Sequence, residues 1–279
     1  MTGQDISEGL SAKFEKLKKY INDLGSLAVG FSGGVDSSFL LTVAHEVLGE
    51  RAIAVTVRVC SVPERELDEA KAFCEEKGIR QILCPFDALS VEAFRFNRPD
   101  RCYHCKLGVF SDIIKTAREN GIENVAEGSN MDDMSDYRPG HKAIAELGVK
   151  SPLREAGLYK DDIRKLSRAM GLKTWDKPSY ACLASRFVYG DEITVEKLKK
   201  LEAAEGFLID MGFAWERVRL HGDVARIEVP PADIPRIVSD ETRKAICDRF
   251  REIGFMYVAL DLNGYRTGSM NAMIGELAT

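Results

Sequence analysis

A run of small and polar residues, Ser32–Ser38 with the sequence SGGVDSS, has the composition of a phosphate-binding loop. It stands between two apolar runs, residues 27–31 and 39–41, which predict a strand before the loop and a helix after it. Adjacent glycines let the backbone approach a ligand closely, and the helix directs its free N–H groups and positive dipole end at the loop. The pattern therefore indicates a site for phosphate or pyrophosphate.

The loop contains no lysine, so it differs from the GxxxxGK[ST] nucleotide-binding loop. Asp36 stands where a phosphate would repel it, and a carboxylate there makes chemical sense if it helps to hold Mg²⁺ on the phosphates. With this acid, the run resembles the loop of the PP-loop ATP pyrophosphatases, which cleave ATP between its α and β phosphates and adenylylate a carboxyl or carbonyl-type oxygen. The plainer interpretation is a serine-rich turn that caps a helix.

Three of the seven cysteines stand where they could do chemistry. Cys102 and Cys105 form a C-x-x-C unit at the predicted start of a helix, where the helix dipole stabilises thiolates. Cys182 lies in a long loop, residues 174–190, that we expect to approach the nucleotide. The other four fall in apolar strand or helix patterns and are expected to be small buried side chains. These four are Cys60, Cys74, Cys84 and Cys247.

A single C-x-x-C is consistent with zinc, a redox pair or an iron–sulfur cluster. Structural zinc needs four ligands, and one C-x-x-C does not favour a four-cysteine site. Three cysteines would leave one iron of a [4Fe–4S] cluster without a protein ligand, and that iron could bind hydrosulfide and present it as a nucleophile. We favour the cluster, held by Cys102, Cys105 and Cys182, over a dithiol pair and over structural or zinc roles.

Alternation of strands and helices predicts an α/β fold for the first part of the chain. A parallel sheet with helices on both faces follows from this order, and its ligands bind beyond the carboxyl ends of the strands. A polar loop is expected up to about Arg101, and the last helix is followed by the loop of residues 174–190. Strands are expected at residues 27–31, 53–59, 79–86 and 124–127, and helices at 7–24, 35–48, 63–77, 103–119 and 160–171.

The pattern changes at Thr194, which predicts a second, small α+β domain. A helix to about Met211 precedes two alternating runs around residues 221–223, which indicate a β-hairpin. A helix over 232–253 and a strand over 255–262 complete the order α-β-β-α-β. We therefore divide the chain into residues 1–190 and 191–279.

Two arginines in the first run of the hairpin are candidates for anion binding. Arg217 and Arg219 alternate with Val218 and Leu220, so we expect both guanidinium groups to face outward on one side of a strand. Two parallel guanidinium groups suit a substrate phosphate. The plainer interpretation is a solvated basic edge.

Composition and charge limit the function further. The chain has 279 residues, 45% of them apolar and 30% charged, which is ordinary for a soluble globular protein. Its net charge of −5 argues against nucleic acid as a partner. Neither a signal peptide nor an apolar run long enough to span a membrane is evident, and seven cysteines without a secretory signal indicate a reducing cytoplasm.

Taken together, these motifs resemble the LarE family of ATP-dependent sulfur transferases, which mature the nickel-pincer cofactor of lactate racemase. The resemblance covers nearly the whole chain, and the run Asp136–Gly140 and the paired arginines are more specific than the PP-loop itself. It is carried by Ser32–Ser38, Glu127–Asn130 with Asp132 and Asp133, Asp136–Gly140, Pro152–Arg154, Ser185–Phe187 and Arg217–Arg219.

The resemblance implies an adenine nucleotide α-hydrolase-like fold and the adenylylation of a pyridinium carboxylate mononucleotide by ATP with Mg²⁺. Sulfur then replaces AMP and gives a thiocarboxylate. Asp36, Cys182 and Arg186 become the catalytic candidates, with Arg186 neutralising substrate or pyrophosphate, while Arg217 and Arg219 hold the substrate phosphate. Tyr137 and Arg138 are expected to order a loop beside the substrate. The residues expected to bind ATP are Ser32, Gly33, Gly34, Asp36, Ser37, Ser38 and Gly128.

Family members differ in their source of sulfur. In some, one cysteine of the loop equivalent to residues 178–186 gives up its own sulfur and becomes dehydroalanine, and those members lack a C-x-x-C. The sacrificial position corresponds here to Ala181 or Cys182. Because Cys102 and Cys105 are present, the chain resembles the members whose three cysteines hold a [4Fe–4S] cluster, supplied by sulfide or another sulfur donor. We further expect a homo-oligomer, with residues 191–279 serving substrate binding and oligomerisation.

Two other functions are consistent with parts of the sequence. A PP-loop tRNA thiolase also pairs this loop with cluster cysteines, although the acidic net charge and the absence of a basic tail argue against it. A non-catalytic nucleotide-binding module with a structural zinc would be colourless and would bind ATP without releasing pyrophosphate.

Overall fold

The chain folds into two units of structure that do not follow one another simply along the sequence. In a computed structural model, which describes residues 7–135, 139–178, 181–266 and 270, residues 1–87 and 102–180 form the first unit. Residues 88–101 and 181–279 form the second unit. The segment 88–101 and the residues 181–190 thus belong with the C-terminal part of the chain.

The first unit alternates strands and helices. Its helices are α1 (Glu8–Leu24), α2 (Val35–Leu48), α3 (Glu64–Lys77), α5 (Arg101–Glu119, whose first residue belongs to the second unit), α6 (Pro139–Glu146), α7 (Pro152–Glu155) and α8 (Lys160–Ala169). Its strands are β1 (Leu27–Gly30), β2 (Ala52–Val59), β3 (Gln81–Phe86) and β4 (Val125–Ala126). The predicted α/β class is confirmed.

All four strands are parallel and lie in the order β3-β2-β1-β4. Successive residues of β1 enter different cores, since Leu27 and Val29 pack with α1, α2 and α8, whereas Ala28 packs with α5. Alternation of this kind is expected for a sheet covered on both faces. The carboxyl end of β1, which leads into Ser32, is therefore open to a ligand at the edge where such sheets bind one.

The second unit carries a mixed sheet. Its elements are α4 (Glu92–Arg95), α9 (Val195–Asp210), β5 (Arg217–His221), β6 (Val224–Glu228), α10 (Ile234–Ile237), α11 (Asp240–Ile253) and β7 (Tyr257–Leu260). β5 and β6 form the predicted hairpin, and β7 pairs parallel to β6. The helix expected over 232–253 is two helices, because Ser239, Asp240 and Glu241 form an N-terminal signature that starts α11.

Asn97 explains why the segment 88–101 lies in the second unit. Its side-chain Nδ2 donates to the carbonyl oxygens of Phe187 at 3.2 Å and Val188 at 2.6 Å, and its backbone oxygen accepts from Gly190. The segment that leads into Cys102 is therefore bound to the segment that follows Cys182. None of the described helices is long and apolar enough to cross a membrane.

Candidate active site

The loop between β1 and α2 presents unpaired backbone donors. Gly34 is the N-cap of α2 in an extended conformation, and no side chain caps the helix. The first N–H groups of α2 are thus available to an anion. Gly33 has a φ of 69°, which favours glycine, and a Cβ there would lie a tight 3.2 Å from the Cβ of Ala70.

A cavity of about 230 Å³ lies over this loop. Its walls carry two carboxylates and two ammonium groups beside the backbone of the loop, which is a suitable lining for a phosphate chain with a bound cation. The lining residues are Ser32, Gly34, Val35, Asp36, Glu66, Lys160, Lys177 and Pro178. The predicted phosphate loop therefore lies at a cavity, and Lys160 and Lys177 were not foreseen from the sequence.

Asp36 is held by a lysine from a distant helix. Lys160 Nζ lies 2.5 Å from Asp36 Oδ2, and both side chains are about a quarter exposed, at 28% and 23%. Burial raises the pKa of Asp36, and the adjacent Lys160 opposes this rise. A half-buried carboxylate whose charge needs compensation fits the expected Mg²⁺, because a divalent cation would supply that compensation.

The segment Glu127–Asp133 supports the loop from the side. A Cβ at Gly128 would lie 3.0 Å from the backbone nitrogen of Ser37, so any larger residue there would push against the loop. Asn130 Nδ2 donates to Asp36 Oδ1 at 3.4 Å. Asp132 Oδ2 accepts from the backbone N–H of Lys160 at 2.7 Å, which places Asp132 at the start of α8 as a capping group.

The three candidate cluster cysteines are divided between the two units. Cys102 and Cys105 lie near the start of α5 in the first unit, and Cys182 lies in the second unit. Cys102 and Cys182 are exposed and Cys105 is half-buried. Among the residues that the structure describes, no group of three His, Cys, Asp or Glu side chains could hold a metal ion.

The remaining cysteines differ in part from the sequence expectation. Cys74 is buried, and desolvation raises its pKa to about 12, so it remains a thiol. Cys84 and Cys247 are half-buried. The expectation that Cys60 is buried is wrong: it is exposed, since it follows the last residue of β2.

Arg186 is 1% exposed and organises the loop that carries Cys182. Its Nε and Nη2 donate to the two carboxylate oxygens of Glu205 at 2.9 and 2.8 Å. Its Nη1 donates to the carbonyl oxygen of Ala181 at 2.7 Å and to Ser185 Oγ at 2.8 Å. The guanidinium group is therefore occupied by protein partners on all sides, and its geometry is that of a group that holds a loop in shape.

The expectation that Arg217 and Arg219 face outward is wrong, because they are only 2% and 5% exposed. Arg219 forms a two-pronged contact with Glu228 on the neighbouring strand, with Nη2 to Oε2 at 2.8 Å. Arg217 lies over the ring of Tyr265 at 5.2 Å and donates to the backbone oxygen of Glu216. Glu228, a buried acid on the neighbouring strand, compensates the charge of the buried Arg219. The alternating hydropathy pattern of the sequence does not reveal this ion pair.

Glu216 was not foreseen as a functional residue. It is fully buried, and neither carboxylate oxygen has a hydrogen-bond partner. Desolvation raises its pKa to about 8, with Glu205 adding to the rise and Arg217 and Arg186 opposing it. Burial therefore favours the protonated form of Glu216, next to the arginines considered for the substrate. Tyr137 and Arg138, also named from the sequence, lie outside the described residues.

Sequence comparisons with known proteins find a matching family model and relatives that span nearly the whole chain. A family model described as NAD synthase matches residues 10–98, the part that contains the loop. An uncharacterized protein of Synechocystis is 39% identical over 95% of this chain and 99% of its own length. An uncharacterized protein of Methanocaldococcus jannaschii is 26% identical over 94% of this chain and 96% of its own length.

A third relative has a described activity. The pyridinium-3,5-bisthiocarboxylic acid mononucleotide synthase of Lactiplantibacillus plantarum is 37% identical over 97% of this chain and 98% of its own length. This likeness extends through both units. The chain therefore belongs to the LarE family, sulfur-transferring enzymes built on an ATP-using PP-loop unit.

Proposed function

We propose that the protein converts a pyridinium carboxylate mononucleotide into its thiocarboxylate, using ATP to activate the carboxylate, and so contributes to the nickel-pincer cofactor of lactate racemase. The observation that carries the proposal is the cavity over Ser32–Ser38, where free N–H groups, two lysines and Asp36 converge. The relative from Lactiplantibacillus plantarum, whose name states a thiocarboxylic mononucleotide product, supports it.

In the first step, a carboxylate oxygen of the substrate attacks the α-phosphorus of ATP. The bond between the α-phosphorus and the bridging oxygen breaks, and pyrophosphate leaves with the electron pair. The N–H groups at the start of α2 and the Lys160 ammonium stabilise the charge on that leaving group. Mg²⁺, when bound at Asp36, would supply further neutralisation of the phosphates.

The Lys160 ammonium can pair either with Asp36 or with the phosphates of a bound nucleotide. In the structure its ammonium is paired with Asp36. Asp36 would hold Mg²⁺, which would compensate the carboxylate in place of Lys160, and the Lys160 ammonium would then be available to the phosphates. No new charge then needs to enter the cavity uncompensated.

In the second step, a sulfur nucleophile attacks the acyl carbon, and AMP leaves with the electrons of the carbon–oxygen bond. We propose that Cys102, Cys105 and Cys182 hold a [4Fe–4S] cluster whose fourth iron would bind hydrosulfide for this attack. Thiol accessibility supports the choice of ligands, because Cys102 and Cys182 are exposed while the buried Cys74 thiol resists ionisation.

The substrate phosphate is proposed to bind at Arg217 and Arg219. Burial and the neighbouring Arg186 lower the pKa of Arg217, so an added anion at this position would relieve repulsion between two guanidinium groups. Arg219 already faces Glu228 and would share its charge between that carboxylate and the substrate.

The working form is proposed to be a cytoplasmic homo-oligomer. Exposed apolar side chains around β7 support this, since Met256 is 66% exposed, Tyr257 62% and Leu262 85%. Light scattering on the purified protein tests it, and a mass of one chain, 31.0 kDa, contradicts it.

The cluster is tested by iron and sulfide content after anaerobic reconstitution. Wild-type protein should turn brown, and Cys102→Ala, Cys105→Ala and Cys182→Ala should each lose colour and iron. Cys60→Ala is the matched control, because Cys60 is also exposed but lies outside the trio. A colourless wild-type protein contradicts the cluster. Loss of one sulfur per chain after one turnover would instead support a sacrificial cysteine at Cys182.

A further inference from the structure

Lys177 lines two cavities of the first unit and contacts the backbone of the PP-loop. Its Nζ donates to the carbonyl oxygen of Gly33 at 3.0 Å and lies 2.6 Å from Glu69 Oε2 on α3. Its side chain is 13% exposed. It lines both the cavity over the loop and a second cavity of about 420 Å³ between α3 and the segment 173–177.

The hydrogen bond from Lys177 to the Gly33 carbonyl also determines the direction of the Gly34 N–H group. The peptide that joins Gly33 and Gly34 is planar and trans, so its carbonyl and its N–H point in opposite directions. Because Lys177 holds the carbonyl of Gly33, the N–H of Gly34 is directed away from the ammonium. Gly34 lines the cavity over the loop and caps α2, so this N–H belongs to the set of free donors there.

Because residue 33 is a glycine, the Gly33–Gly34 peptide needs an outside contact to hold its orientation. Its φ of 69° lies where glycine moves freely between alternative conformations. Rotation of this peptide would turn the Gly34 donor out of the site. An ammonium group has three donors, and in Lys177 the Gly33 carbonyl and Glu69 together give it a fixed position and a compensated charge.

We propose that Lys177 is a positioning residue that fixes the Gly33–Gly34 peptide for pyrophosphate binding, with Glu69 holding Lys177 in place, and that it is not itself a phosphate ligand. The proposal rests on the ATP chemistry proposed above. Lys160 differs from it, since its partner Asp36 is the residue that a cation would take over.

Titration calorimetry with inorganic pyrophosphate and Mg²⁺ tests the proposal on the whole protein, alongside kcat and KM for ATP. Lys177→Ala should weaken pyrophosphate binding by about tenfold to a hundredfold, the loss expected for a misdirected donor to a charged group. Lys177→Arg keeps a donor to Gly33 and a partner for Glu69 and should bind close to wild type. Lys173→Ala is the matched control, because Lys173 pairs with Glu76 in the second cavity and is 83% exposed.

The Glu69→Gln variant distinguishes a Lys177 that positions the loop from a Lys177 that binds phosphate directly. If Lys177 positions the loop, loosening it from Glu69 weakens pyrophosphate binding in the same direction as Lys177→Ala. If Lys177 binds phosphate directly, the freed ammonium strengthens binding, and that result overturns the proposal, as does unchanged binding in Lys177→Ala. Melting temperatures identify any variant that fails to fold, in which case Lys177→Arg and Glu69→Gln decide. Wild-type protein that binds pyrophosphate but forms no AMP contradicts the proposed function alone.

Discussion

Asp36 and Lys160 are 124 residues apart in the chain, yet their side chains meet at 2.5 Å beside the phosphate loop. The lysine that is missing from the loop is thus supplied by the start of α8. Asp132 caps that helix at the same residue, through the backbone N–H of Lys160, so the capping group and the lysine are placed together. Because Lys160 compensates the charge of Asp36, this carboxylate can lie in a loop that binds phosphates.

Removing this lysine should impair ATP chemistry more than stability. Lys160→Met keeps the length of the side chain but loses the charge that stabilises the leaving pyrophosphate, so kcat/KM for ATP should fall by about a hundredfold. Lys165→Met on the same helix is the control, because Lys165 is 54% exposed and pairs with Asp161. Pyrophosphate release is the measurement. Equal activity in the two variants would exclude Lys160 from the reaction.

Close packing of Gly128 against the loop predicts a second effect. In Gly128→Ala the new Cβ would meet the Ser37 nitrogen at 3.0 Å and the Asp36 Cβ at 3.2 Å, so the backbone of the loop would have to shift. We expect a loss of roughly 1–3 kcal/mol in the free energy of unfolding and weaker ATP binding. Gly9→Ala on α1, with nothing within 4 Å, should be neutral or stabilising in the same urea titration. A Gly128→Ala protein that binds ATP as tightly as wild type would contradict this packing.

Substrate binding at the arginines is best tested by a conservative change. Arg217→Lys keeps the charge but loses the planar fork, so it should weaken the mononucleotide by about tenfold and leave ATP affinity unchanged. Isothermal titration with the mononucleotide and with ATP measures the two affinities separately. Arg219→Ala is a poor substitute, because it removes both donors of Arg219 from the buried Glu228, leaves that carboxylate to Arg226 and should destabilise the fold. Equal loss of ATP affinity in Arg217→Lys would place Arg217 at the nucleotide.

Glu216 predicts a pH dependence of stability. Its folded-state pKa is raised to about 8 from 4.5, so its contribution is complete below pH 4.5 and is lost as pH rises to about 8. Over that window the loss amounts to roughly 4–5 kcal/mol at most. Glu216→Gln resembles the protonated form, so its stability relative to wild type should increase from pH 5 to pH 8.5. Glu241→Gln, an exposed position of the same unit, should show no such increase in the same unfolding titrations.

The sequence predicts the parts of the site that are local in the chain. The strand, the loop and the helix of Ser32–Ser38 are contiguous, so pattern and glycine content were sufficient. Lys160 and Lys177 reach the loop from 124 and 144 residues away, and no spacing indicates that they do. The outward orientation of Arg217 and Arg219 was wrong for a related reason: Glu228 comes opposite them only when β5 and β6 pair.

The structure of residues 88–101, the segment before Cys102, could not be predicted from the sequence for the same reason. As sequence it is a polar loop, but it contains α4 and is bound by Asn97 to residues that follow Cys182. Such a pairing of two segments some 90 residues apart depends on tertiary hydrogen bonds that propensities do not encode.

The most direct test of the account is the product balance of a single reaction. Protein reconstituted anaerobically with iron and sulfide is mixed with ATP, Mg²⁺, the pyridinium carboxylate mononucleotide and sulfide, and the products are identified by mass spectrometry. We expect equal amounts of AMP, pyrophosphate and thiocarboxylate groups, and none of the three from the Asp36→Ala protein. Formation of ADP and orthophosphate, or of AMP without any thiocarboxylate, would contradict it.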